Sequence, residues 1–572
     1  MRSNFWKILI AAMLAVSLTG CAQMQSTPQE TVDLHIAAGD ESADEAVPDA
    51  AAEEAPAEAV MKEYAEEVED GGMFNSIAAS KTSIPMNMAV ATHAMGVEEF
   101  DGYSYEAPEF NTEEYDYQKE NPFLSTMTSP LSTFAADVDT ASYANMRRQI
   151  LDNGYVIPDS VRIEEMVNYF HYDFAEPEGE EPFSVTAEMA DCPWNDDTQL
   201  LMIGLQAKKL DLKELPQSNL AFLIDVSGSM DSPNKLPLVQ RSFMTLVENL
   251  DDDDRVSIVT YSSGEEVILD GESGKNKEKI MSAIEGLYAA GSTNGEDALN
   301  MAYKIAARNY IKGGNNRIIM ATDGDFNVGI SSEGELTNLV KEQAKDGVFL
   351  SVLGYGMGNF KDSKLESMAD NGNGNYAYID SIDEARKVLV NEAGGTFFTV
   401  AKDVKLQVDF NPEKLKGYRL IGFENRLMAA EDFADDTKDG GEIGAGHHVV
   451  ALYEIVPVDS EFEIPSVSSK HTAKETVDND SDELLTINIR YKEPDGDVST
   501  LYEYPVTDAD VLEDMSDNMS WAAGVAQAGM LMRHSEFAGT SDIESIRNRL
   551  RELTNGDDFR EEFVYLLRKW KP

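Results

Sequence analysis

Asp225-Val226-Ser227-Gly228-Ser229 sets a carboxylate and two hydroxyls at alternate positions. These are oxygen donors, the ligand type that a hard divalent cation prefers. The run ahead of them, Ala221-Phe222-Leu223-Ile224, is short and apolar, the pattern of a strand buried on both faces. Gly291-Ser292-Thr293-Asn294-Gly295 reads as a loop before a helix and offers the Thr293 hydroxyl. Ile318-Ile319-Met320-Ala321-Thr322-Asp323-Gly324 reads as another buried strand, ending in the Asp323 carboxylate. The carboxyl ends of parallel strands share one rim, where open α/β sheets bind ligands. Asp225, Ser227, Ser229, Thr293 and Asp323 are therefore candidates for one cation site, each bringing an oxygen.

Such a meeting needs a sheet to arrange it. From Leu220 to about Glu392, strand and helix patterns alternate. Strands are predicted over Leu220 to Ile224, Arg255 to Tyr261, Arg317 to Ala321, Val348 to Gly354 and Tyr376 to Ile379. Helices are predicted over Pro237 to Asn249, Lys277 to Tyr288, Gly295 to Tyr310, Glu333 to Lys345, Leu365 to Asp370 and Ile382 to Ala393. This alternation predicts a doubly wound, mostly parallel α/β sheet.

The flanks differ. Ser132 to Thr140 reads as a strand and then a helix start, with Thr140 as the cap of a helix over Ala141 to Asn153, and Val161 to Phe170 reads as a second amphipathic helix. Phe183 to Ala190 and Gln199 to Ala207 alternate like strands with an exposed face. After Gly394-Gly395 strands recur over Val400 to Phe410, Tyr418 to Phe423, His448 to Val456, Leu484 to Lys492 and Ser499 to Val506, with polar loops at Glu431 to Gly446 and Ser460 to Asp482. Strands on both sides of the α/β unit need partners, so they are expected to form one β-sandwich beside it. Trp521 to Glu536 and Ile543 to Trp570 read as closing helices. The expected divisions are 1–20 leader, 21–120 acidic disordered tether, 121–215 N-terminal α+β flank, 216–395 α/β domain, 396–510 β-rich domain and 511–572 helical segment.

With Thr293 and Asp323 added, the Asp-x-Ser-x-Ser set resembles the metal-ion-dependent adhesion site of von Willebrand factor type A (VWA) domains at all five positions. The flanks resemble a YfbK-like group of bacterial VWA lipoproteins, through Phe134-Ala135-Ala136-Asp137-Val138-Asp139-Thr140-Ala141-Ser142-Tyr143, Glu164-Glu165-Met166-Val167-Asn168-Tyr169-Phe170 and Thr322-Asp323-Gly324-Asp325-Phe326-Asn327-Val328-Gly329. The resemblance implies Mg2+, with Mn2+ or Ca2+ as alternatives, bound by Ser227, Ser229 and Thr293 directly and by Asp225 and Asp323 mainly through water. It implies an open coordination position for an acidic side chain of a protein partner. The alternative is an envelope assembly scaffold in which the metal is mainly structural. No Gly-x-Ser-x-Gly, His-Glu-x-x-His or phosphate-binding Gly-x-x-x-x-Gly-Lys motif stands out, so an enzyme is not expected.

Arg2 and Lys7 flank a charged start, Ile8 to Leu18 is too short for a span of about 20 residues, and Leu18-Thr19-Gly20-Cys21 resembles the lipobox of bacterial lipoproteins. Cys21 is the expected lipid acceptor, which would tie the chain to a membrane and hold its globular part outside the cytoplasm. The only other cysteine is Cys192, so no disulfide framework forms in the mature part; beside Pro193-Trp194 it reads as a packed apolar residue. Against 105 Asp plus Glu stand 46 Lys plus Arg, a net charge of −59 over 572 residues. That balance repels nucleic acid. Asp251 to Asp254 reads as a solvated turn, and His447-His448 as the start of a strand.

Overall fold

The computed structural model describes residues 113 and 115–572 apart from 138, 180, 211–215, 294, 325–332, 358–360, 465–480, 495 and 497. The expected leader, Cys21 and nearly all of the expected tether lie outside these residues. In chain order the strands are β1 (Leu124–Ser125), β2 (Leu131–Ala135), β3 (Phe183–Asp191), β4 (Gln199–Ala207), β5 (Ser218–Asp225), β6 (Arg255–Tyr261), β7 (Glu265–Ser273) and β8 (Asn315–Thr322). They continue with β9 (Phe349–Tyr355), β10 (Tyr376–Ile379), β11 (Thr399–Phe410), β12 (Leu415–Ile421), β13 (Gly441–Gly444), β14 (His448–Pro457), β15 (Glu483–Lys492) and β16 (Thr500–Thr507).

A central sheet runs β10-β9-β8-β5-β6-β7, parallel except for β7, which pairs antiparallel with β6. All of β5 is buried, and its alternation serves two cores. Leu220, Phe222 and Ile224 pack with Val239, Phe243 and Val247 of the helix Leu236–Glu248. Ala221 and Leu223 pack with Leu299, Ala302 and Ile305 of the helix Glu296–Arg308. The period of two along the strand thus glues helices to both faces. The chain leaves β5 toward β6 on one side and returns to β8 on the other, which makes the gap between β5 and β8 a topological switch point.

The flanking strands form two further sheets, β1-β12-β14-β4-β3 and β13-β11-β15-β16, with β2 also paired to β11. The strands before and after the central sheet do pair, β4 with β14. One expectation fails here: Gln199–Ala207 has no exposed face. Leu201, Ile203 and Leu205 enter the core between the two sheets. Leu200 and Met202 enter a helical core with Tyr143, Met166, Phe170, Trp521 and Phe563. The closing helices cover the outside of this sheet, and the closing segment is three helices, Asp517–Met532, Ile543–Glu552 and Asp558–Lys569.

Other differences have local causes. Thr140 precedes the helix Ala141–Asn153 without a side-chain capping bond; the Ser142 backbone N–H donates instead to Glu165 at 2.7 Å. The helix from Lys277 stops at Glu285, before Gly286, and releases a loop toward Gly291. The stretch from Ile382 breaks into α, π and α turns. Strand β7 is partly exposed and its only apolar run, Val267-Ile268-Leu269, is flanked by acidic residues, and β13 lies inside the expected Glu431 to Gly446 loop.

One guanidinium joins the sandwich to the central sheet. Arg426 lies 3.0 Å from Asp137, 3.1 Å from Asp139, 3.0 Å from Glu366 and 2.6 Å from Asp370. Burial raises the carboxyl of Asp139 well above its ordinary value and pushes Asp370 up to about 6. Between the ordinary 3.8 and 6 the folded chain holds more protons at Asp370 than the unfolded chain, so this group's contribution to stability falls as pH rises through that window. Removing the cation from among buried carboxylates is costly, about 3–5 kcal/mol. Arg426→Met is expected to destabilise the chain by that order in urea unfolding, and by less at pH 5 than at pH 8.

Candidate metal centre

Register builds the site from the sheet upward. Ile224 pairs with Ala321 on one side and with Thr260 on the other, and Asp225 pairs with Tyr261. Asp225 and the Thr322-Asp323 end of β8 therefore emerge side by side at the switch point. Both carboxylates are fully buried in the protein matrix. The Ser227 backbone N–H donates to Asp225 Oδ1 at 2.8 Å, and the Thr322 hydroxyl donates to Asp225 Oδ2 at 3.4 Å. After Asp225 the chain turns through Ser227 into a short 3-10 turn, Gly228–Met230.

The third segment is pinned by backbone. The Ala290 N–H donates to the Val226 carbonyl at 2.7 Å, and the Gly228 N–H donates to the Gly291 carbonyl at 3.0 Å. These bonds bring the Thr293 loop against the Asp225 to Ser229 turn. Gly291 has φ +88°, and a Cβ there would stand 2.6 Å from Ser263 Oγ, so the approach requires glycine. Thr293 is half-buried, Ser227 buried and Ser229 exposed. The donors thus run from the sheet end to the surface, closed below and open above.

The hydroxyls of Ser227 and Ser229 are 3.0 Å apart. Adjacent ligands of an octahedral Mg2+ at about 2.1 Å from the ion are about 3.0 Å from each other. The two hydroxyls, which are hydrogen-bonded to each other here, are therefore spaced as adjacent ligands of a small hard cation would be. Burial pushes the Asp225 carboxyl up to about 6, against the hydrogen bonds from Ser227.

Sequence reasoning missed several residues around these donors. The ammonium of Lys235 lies 2.8 Å from Asp323 Oδ2. Tyr261 is buried beside Asp225, and Ser263 accepts from the Ser292 N–H at 3.1 Å. Lys235 stands between the turn and the apolar helix pattern, where a lysine gives no signal of pointing inward. The other candidates are structural. Cys192 is buried, and its thiol is pushed up to about 12 by burial. In the acidic run, Asp254 accepts from the N–H groups of Ser218 and Asp251, each at 2.7–2.8 Å. His448 opens β14.

Comparison with known proteins follows the same outline. Residues 219–390 match the von Willebrand factor type A domain, residues 109–202 the von Willebrand factor model, and residues 395–572 the model of the C-terminal part of the uncharacterized protein YfbK. The chain is 40% identical over 465 residues to uncharacterized protein YfbK of Escherichia coli (strain K12), covering 80% of each chain. It is 30% identical over 163 residues to inter-alpha-trypsin inhibitor heavy chain H4 of Homo sapiens, covering 27% of this chain and 17% of that one. A solved von Willebrand factor type A protein from Catenulispora acidiphila is 15% identical, with 79% of this chain and 90% of that one covered at a TM-score of 0.34.

A cation on these donors requires Asp225 ionised. Mg2+ is therefore expected to raise the melting temperature, by an amount that shrinks as pH falls below about 6 and levels off above it. Differential scanning calorimetry with Mg2+ and with EDTA, from pH 5 to pH 8, checks this.

Proposed function

Since this chain belongs to the YfbK family of von Willebrand factor type A proteins, we propose that it binds a protein partner through a divalent cation held by Asp225, Ser227, Ser229, Thr293 and Asp323. The observation that carries this reading is the convergence of those three segments at the switch point, with the two serine hydroxyls one octahedral edge apart. In this reading Ser227, Ser229 and Thr293 supply neutral oxygens, which leave the ion's charge uncancelled. Asp225 and Asp323 would meet the ion mainly through water. When bound, the ion supplies a Lewis-acidic position on the open side, and Mg2+ is the cation that best suits the spacing, with Mn2+ and Ca2+ as alternatives. A carboxylate from the partner fills that position and is desolvated against the rim.

The reading has no catalytic step. The side chains at the rim bind and orient; Asp225 is fixed by the Ser227 N–H rather than by a histidine or lysine that would move a proton. Among the described residues no helix is long and apolar enough to cross a membrane. We assign attachment instead to lipid on Cys21, within the Leu18-Thr19-Gly20-Cys21 segment, which makes this a lipoprotein of the bacterial envelope with its globular part outside the cytoplasm. The net charge of −59 argues against nucleic acid as the partner.

Capture of a partner from envelope extract is expected to be lost in EDTA, restored by Mg2+, and lost in Asp225→Ala. Capture retained under EDTA and in that variant would instead support a scaffold whose metal is structural. Cys21→Ser is expected to abolish incorporation of labelled palmitate and to release the chain from the membrane fraction.

A further inference from the structure

Lys235 is placed where a lysine is least expected. It occupies the residue just before the helix Leu236–Glu248, at the end of a helix whose dipole repels cations. Its side chain is about nine-tenths buried. The ammonium nevertheless reaches Asp323 Oδ2 at 2.8 Å, deep in the metal centre. A passage is cleared for it: Gly356 follows β9 with φ +74°, and a Cβ there would stand 2.4 Å from Lys235 Cε. The Tyr378 hydroxyl donates to the Gly356 carbonyl and holds that turn in place.

On this basis, and resting on the metal-site reading above, we infer that Lys235 sets the charge balance of the centre so that it favours a carboxylate-bearing ligand at the expense of cation affinity. Counting Asp225, Asp323 and Lys235 alone, with both carboxylates ionised, these three groups sum to one net negative charge. A divalent cation takes the sum to one net positive charge, which a single carboxylate neutralises. Without the ammonium the loaded site would be neutral before any ligand arrived. Lys235 therefore opposes the cation and assists the anion, both by Coulomb interaction in a poorly solvated place. A lysine that merely filled space would affect neither, or would affect both through stability.

The test uses the full chain, Mn2+ as the metal probe and acetate as the carboxylate probe. Mn2+ affinity is measured by calorimetry, and acetate binding by loss of the water-proton relaxation enhancement of bound Mn2+. Lys235→Met is expected to tighten Mn2+ by on the order of tenfold and to weaken acetate by a similar factor. Lys235→Gln, which keeps a donor toward Asp323 without the charge, is expected to shift both in the same directions. The double variant Lys235→Met/Asp323→Asn restores one net negative charge and is expected to return Mn2+ affinity toward wild type. Mn2+ binding that is unchanged or weaker in both single lysine variants overturns the inference while leaving the metal site standing. Absence of Mn2+ binding by the wild-type chain overturns the metal-site reading and this inference with it.

Discussion

The central strand β5 is the constraint on which the rest depends. Every residue from Ser218 to Asp225 is buried, and successive side chains feed cores on opposite faces. Such a strand has no side on which to display polar groups to solvent. Its chemistry is confined to its carboxyl end, where Asp225 leaves the last ladder position and the chain turns. Parallel pairing with β8 repeats the pattern one strand over and delivers Asp323 to the same point. The site is thus a by-product of sheet register, and its precision comes from two rigid strands rather than from the loops above them.

Electrostatics in this molecule are handled by enclosure. The chain is strongly acidic overall, yet enclosed carboxylates cluster around single cations: four around Arg426, and Asp380, Glu384 and the partly exposed Glu562 around Arg147. Arg162 similarly meets Glu165 and Asp362. Arg426 joins the sandwich to the N-terminal flank and the α/β unit, Arg147 joins the flank to the α/β unit and the last helix, and Arg162 joins the flank to the α/β unit. Buried pairs add little net stability over apolar packing, but a missing partner is severe. They therefore act as fixed registration points between layers. At the switch point the same device is smaller, one buried ammonium, Lys235, against Asp323.

Much of this was legible in the sequence. Apolar runs marked β5, β6, β8 and β10 to within two residues; Asp225, Ser227, Ser229 and Asp323 stood out because oxygen donors followed such runs, and Thr293 because it lay in a glycine-flanked loop before a helix. What escaped reading depends on tertiary contact. Strand β7 is a partly exposed sheet edge whose short Val267-Ile268-Leu269 run sits between acidic residues, and Gln199–Ala207 looked half-exposed because nothing local announces that helices more than three hundred residues later will cover it. Lys235 escaped for the same reason: a lysine's usual place is the surface, and its inward course depends on a gap left by Gly356, over a hundred residues away.

The outer edge of the central sheet has a further meaning. Strand β10 would end the sheet with open hydrogen-bonding groups, but Asp139 accepts from the Tyr376 N–H at 2.9 Å, and Ala141 and Ala144 pack into the core beside Tyr376 and Tyr378. The N-terminal flank therefore works as a lid on a sticky edge. A shortened chain carrying only residues 219–390 would keep every proposed metal donor and lose that lid, leaving β10 as a template for strand addition by a second copy. Polymerisation of such a fragment would report on the uncovered edge of β10 and not on partner binding by the whole chain, and it would give Asp139 a purpose separate from the proposed metal site: closing that edge.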